Sequence, residues 1–177
     1  MRYSRSILMT GLITTAALWG IAAHSQNAGS PSAQDFVTKA TVAGKTEVAA
    51  ARVALKTSQS DDVKTFAKQM IRDHTKANNE LASIAKSQNL AVPTHIDAQH
   101  RTVLGSLRAQ TGAAFDAAYS KQMVADHVEA VALFKSEAAA ASTNADLSAF
   151  VQKALPTLEQ HKTMADALAA NHGSASQ

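Results

Sequence analysis

The chain reads K-Q-M-I-R-D-H at 68–74 and K-Q-M-V-A-D-H at 121–127. Histidine and aspartate are side chains that move protons or hold transition metals near neutral pH. An Asp-His pair set twice among apolar residues therefore raises the question of a duplicated reactive unit. Helical spacing answers it, because neighbours in sequence point about 100° apart. His74 aligns with Ala67, Met70, Ile71, Ala77 and Leu81, and His127 with Ser120, Met123, Val124, Ala130, Val131 and Phe134. Both histidines thus fall on stripes that face a core, and the aspartates do not. His161 repeats the pattern among Ala154, Leu158, Met164, Ala165 and Leu168. One carboxylate does the same: Glu47 interrupts a stripe of Ala40, Ala43, Gly44, Ala50, Ala51 and Ala54.

Three buried imidazoles and a buried carboxylate need partners, since an unpaired buried charge costs several kcal/mol or is neutralised by a pKa shift. Two arrangements satisfy them. Glu47, His74, His127 and His161 can hold one transition metal ion, with mixed nitrogen and oxygen ligation suiting Fe, Mn, Zn or Cu. Alternatively they hydrogen-bond to one another as a polar layer that fixes helix register. Asp73 and Asp126 sit one residue off the core face, beside Gln69 and Gln122. They are either boundary residues paired with Lys or Arg, or supports that each receive an N–H from a histidine on the neighbouring helix. Glu80 and Glu129 lie near the same boundary as candidate extra ligands, whereas His95, His100 and His172 read as surface residues. Met70, Met123 and Met164 read as core fillers, and Tyr119 packs two turns before His127. The chain has no Cys, which excludes disulfides, thiolate catalysis and Cys-ligated zinc. It also lacks a C-x-x-C-H haem motif. The pattern names a site but no reaction, and it leans towards a non-catalytic protein.

The elements that must position these residues are helices, because apolar residues recur every three or four positions throughout. The spacing predicts helix A over 34–57 and helix B from a Ser60 or Asp61 cap to about Asn89. T-H-I-D at 94–97 resembles a capping box and predicts a short helix reaching Ala109. Helix C follows Gly112, from Ala113 to Ala141. Helix D runs from a Thr143 or Asn144 cap to Asn171, with Pro156 removing one backbone hydrogen bond inside it. The expected fold is all-α: a ferritin-like four-helix bundle with a short extra helix in the B–C crossover. Counted from the interhelical turns at a rise of about 1.5 Å per residue, the four inward residues lie roughly 15 to 24 Å along their helices, near mid-bundle.

Residues 1–25 have the layout of a secretory signal peptide: Arg2 and Arg5, an apolar run from Ile7 to Ala23, and small residues before Gln26. The run is slightly short for a spanning anchor. A flexible linker over 26–33, a bundle domain over 34–171 and a disordered tail over 172–177 complete the expected organisation. Location in the periplasm or cell envelope follows, with an envelope protein or a second copy of the chain as partner. Without Arg2 and Arg5, 15 basic residues face 14 acidic ones, and there is no basic stripe. Nucleic-acid binding is therefore not expected, nor is a transmembrane span in the mature part.

F-A-K-Q-M-I-R-D-H-T-K-A-N-N-E-L (66–81), G-A-A-F-D-A-A-Y-S-K-Q-M-V-A-D-H (112–127), L-P-T-L-E-Q-H (155–161) and T-E-V-A (46–49) together resemble the bacterial domain-of-unknown-function family 4142. The resemblance spans about Phe36 to Ala170. It implies a fold of the ferritin-like superfamily, export, and association with the outer membrane, with no activity attached. The di-iron ligand set is not implied. Such sites use Glu-x-x-His on two helices, and here Ile71, Val124 and Leu158 occupy the positions three before each histidine. A mononuclear site or an atypical pair is the form this ligand set suits.

Overall fold

A computed structural model describes residues 31–140 and 144–173. The expected signal peptide, most of the expected linker, Ala141 at the expected end of helix C, Thr143 and the expected tail beyond Gly173 lie outside the described residues. Five helices follow in order: α1 (Pro31–Thr57), α2 (Asp61–Ser87), α3 (Ala98–Arg108), α4 (Gly112–Ala139) and α5 (Ala145–His172). The helix α1 starts three residues earlier than expected and takes in the end of the linker. Proline is favoured at a first helical position because its fixed φ suits the helix and its missing N–H has no partner there in any case.

The other boundaries have local causes. Asn89, at φ 56°, ends α2 in the left-handed conformation that Asn tolerates. Leu90 N–H then donates back to the Ala85 carbonyl at 2.8 Å and Asn89 N–H to Lys86 at 3.2 Å, satisfying carbonyls at the helix end. The capping box expected at Thr94 does not form. Asp97 is itself the N-cap of α3, its carboxylate accepting the His100 N–H at 2.9 Å, so the helix begins three residues later. Asn144 caps α5 through the Leu147 N–H at 3.0 Å. That helix continues through the exposed Pro156 to His172.

Packing makes α1 and α2 one hairpin and α4 and α5 another, with α1 also against α4 and α2 against α5. The crossover carries α3 back along α1. Gln34 clamps Ala91 through two hydrogen bonds of 2.9 Å, and the Lys45 ammonium donates to the Pro93 and Thr94 carbonyls. Because the connection returns along the bundle, α2 and α4 start at the end where α1 and α5 finish. Ala54, Val63, Phe115 and Leu168 meet in one apolar cluster there, and Phe36, Ala85, Phe134 and Leu147 meet in another at the opposite end. This is the ferritin-like bundle with a helical crossover. Among the described residues, no helix is long and apolar enough to cross a membrane.

Candidate metal centre

The two apolar clusters do not touch at mid-bundle. Between them every long helix presents one polar side chain: Glu47 from α1, His74 from α2, His127 from α4 and His161 from α5. None of the four is more than 6% exposed. The three imidazoles form a nearly equilateral triangle, with ring centres 5.3, 5.5 and 5.6 Å apart. One nitrogen from each ring can be chosen so that the set lies within 4.8 Å. Glu47 Oε2 is 2.6 Å from His74 Nε2, and Glu47 Oε1 is 4.0 Å from His127 Nδ1.

The outward ring nitrogens are already engaged. His127 Nδ1 lies 2.8 Å from the Met123 carbonyl, and a carbonyl only accepts, so this nitrogen carries the proton. His161 Nε2 donates to the Asp73 carboxylate at 3.0 Å. That leaves His127 Nε2 and His161 Nδ1 as the second nitrogens of these rings. Both atoms are buried without a hydrogen-bond partner. Glu47 Oε1 and Oε2 and His74 Nε2 also lack an aligned hydrogen bond, despite the close Glu47–His74 approach.

Electrostatics divides the layer into a charged pair and a neutral ring. Burial works to raise the Glu47 carboxyl, but the facing His74, with weaker help from His127 and His161, holds it down at about 2. Burial works to lower His74, yet the Glu47 charge and contact keep it above its ordinary value. His161 is pushed down to about 4, first by burial and then by the His74 charge, against the pull of Asp73. It is neutral at pH 7, which is the state a metal ligand requires.

These distances fit a shared ion. Three imidazoles on one tetrahedral ion, with bonds of about 2.0–2.1 Å, would place their ring centres about 5.2 Å apart. Two neighbouring ligand atoms on such an ion lie about 3.0–3.4 Å apart, whereas Glu47 and His74 stand at 2.6 Å, the spacing of an ion pair, so it is the three imidazoles that match the ion. The hydrogen bonds to Met123 and Asp73 are of the kind that orient metal-binding imidazoles.

The sequence profile described as Domain of unknown function (DUF4142) matches residues 20–168. The chain belongs to this family. Neither the curated proteins nor the solved structures yield a match.

In this DUF4142 chain the two aspartates of the repeat have different surroundings. Asp73 reaches the site through His161 while its other oxygen meets Arg72 at 3.1 Å, so both sequence readings hold for it at once. Asp126 meets no histidine among the described residues, and instead accepts from Gln122 on its own helix at 2.8 Å. The reason lies in its neighbours: α1 presents Glu47 rather than a histidine, and His127 is turned to Met123. Burial, with the Glu47 charge, pushes the Asp126 carboxyl up to about 6.

Three further residues of the DUF4142 chain, Tyr119, His172 and Glu80, have surroundings that helical spacing alone does not give. Tyr119 packs in the core as expected, but its hydroxyl is buried without a partner. Burial, then the charges of Glu47 and Asp126, raises its pKa. The signal was its place two turns before His127. His172, expected in a tail, closes α5 and meets Asp62 of α2 at 3.0 and 3.1 Å. Glu80 pairs with Lys153 at 2.8 Å and does not join the site.

Proposed function

We propose that the chain is an exported metal-binding bundle whose mid-plane holds one Fe, Mn, Zn or Cu ion through Glu47, His74, His127 and His161. Its place is the periplasm or cell envelope, and its role is metal handling or defence against oxidants. One observation carries this reading: three buried imidazoles bring one nitrogen each within 4.8 Å of the others, and His127 Nε2 and His161 Nδ1 are buried without a partner while Met123 and Asp73 hold their other nitrogens. Bound there, such an ion would supply Lewis acidity, or a redox couple if Fe, Mn or Cu. Export rests on the layout of residues 1–25, with two arginines before an apolar run.

A second reading has its own support. Glu47 and His74 neutralise each other at 2.6 Å, so the layer can serve as a structural ion pair in an interaction protein of the envelope. The experiment that separates them is elemental analysis of untagged chain purified from the periplasm, before and after loading with Fe, Mn, Zn and Cu. The metal reading expects one equivalent, lost in His127→Ala. Substoichiometric metal under all four loadings would sink it and leave the structural layer.

A further inference from the structure

A cavity of about 310 Å³ opens on one side of the layer, and Glu47, His74 and His161 are among its lining residues. Its existence is a matter of side-chain volume. Within two turns of each site residue on this side, every helix offers a small side chain: Ala43 and Gly44 on α1, Ala77 on α2, Ala130 on α4 and Ala154 on α5. A Cβ at position 44 would overlap the Asn78 carboxamide, so Gly44 also lets α2 come close here. Beyond the small residues the wall is aromatic, with Phe134 and Phe150 rings tilted at 48° and 5.9 Å apart. The Lys153–Glu80 pair is also part of the lining, and it cancels its own charge.

We infer that this cavity binds a small neutral aromatic alcohol, with its ring against Phe134 and Phe150 and its hydroxyl donating to Glu47. The volume suits a molecule of one or two fused rings, since an apolar cavity of about 150 Å³ already holds benzene and ligand pockets begin near 300 Å³. The polar end is set by what is orphaned. Both Glu47 oxygens are buried and lack an aligned donor, and an O–H supplies one. The head must itself be a donor, because a carboxylate head would set only acceptor oxygens against the buried Glu47 oxygens. The inference takes its site from the metal reading but concerns the metal-free fold, so the two fail separately.

The test is titration of naphthol into the chelator-treated full chain, followed by calorimetry and by naphthol fluorescence. The wild type should bind one equivalent saturably. Ala154→Leu, which fills the space and leaves every polar group, should bind at least about tenfold more weakly while keeping wild-type helicity and metal content. Should that variant not fold, Ala43→Val serves in its place. Naphthoate, with the same body and a charged head, should also bind at least about tenfold more weakly. Absence of saturable naphthol binding, equal binding by the folded filled variant, or equal binding of naphthoate would each overturn the proposal. Naphthol binding by a chain that takes no metal would leave the cavity standing and remove only the ion.

Discussion

The bundle's two apolar halves are built differently against the same polar layer. On the side of the α1–α2 turn, Met70 and Met123 stand one turn from His74 and His127, and behind them Phe66, Phe115 and Tyr119 fill the space left by Ala50, Ala51 and Ala54. Phe66 lies edge-on to both His127 and Tyr119, with ring centres 6.3 Å apart in each pair. On the other side small residues meet small residues next to the layer, and a cavity results. Small side chains on one helix let neighbours approach or let large partners fill the gap. Small side chains on all four helices at one height leave volume. The difference leaves the layer packed by large side chains on one side and bordered by a cavity on the other.

The largest effect should fall on the layer that divides the halves. Glu47→Ala leaves His74 without its counter-charge and should cost about 3–5 kcal/mol in metal-free protein, read by urea unfolding at pH 7. Loading the site should stabilise the wild type by about 2.7 kcal/mol at a hundredfold excess over Kd, and His127→Ala should abolish that gain in a thermal melt. The halves themselves are compared by adding bulk. Ala67→Leu, in the filled half, should cost about 2–3 kcal/mol, whereas Ala154→Leu, in the half with the cavity, should stay within about 1 kcal/mol. Equal costs would erase the distinction.

Acid should act through the layer in a defined direction. His161 falls from 6.5 to about 4 on folding, so between those values the unfolded chain binds a proton that the folded chain does not. Its contribution is full above pH 6.5 and is lost as pH falls towards 4, about 3 kcal/mol in all. Metal-free His161→Gln should lack that part of the acid loss. Asp126, raised from 3.8 to about 6, acts oppositely, with its contribution present below pH 3.8 and lost as pH rises through 6. Asp126→Asn should therefore stabilise the chain at pH 7 and leave it unchanged near pH 3.5. The smallest effect belongs to the bundle end: His172→Ala should cost at most about 0.5 kcal/mol, reduced further by salt.

Periodicity made the layer legible, because four polar residues standing in apolar stripes at one height have few places to go. The same reasoning placed the helices and the crossover. It failed where the deciding fact was not periodic. His172 finds Asp62, 110 positions away, and nothing local to either residue marks the pairing. Thr94 and Asp97 both suit a cap, and the chain resolves the competition through the His100 N–H. Asp73 and Asp126 occupy matching places in the repeat, yet α5 brings Asp73 a histidine whereas α1 presents Glu47. The cavity escaped because a pattern of apolar and polar residues counts alanine as it counts leucine, and so is blind to volume.

The crossover has a consequence for how the site is assembled. One hairpin supplies Glu47 and His74, and the other supplies His127 and His161. Neither alone gathers more than two of the four. The Asp73–His161 bond, between residues 88 apart in sequence, forms only once the hairpins have docked. The layer is thus complete only after docking, and the gathering of all four side chains at one centre reports that the hairpins have met.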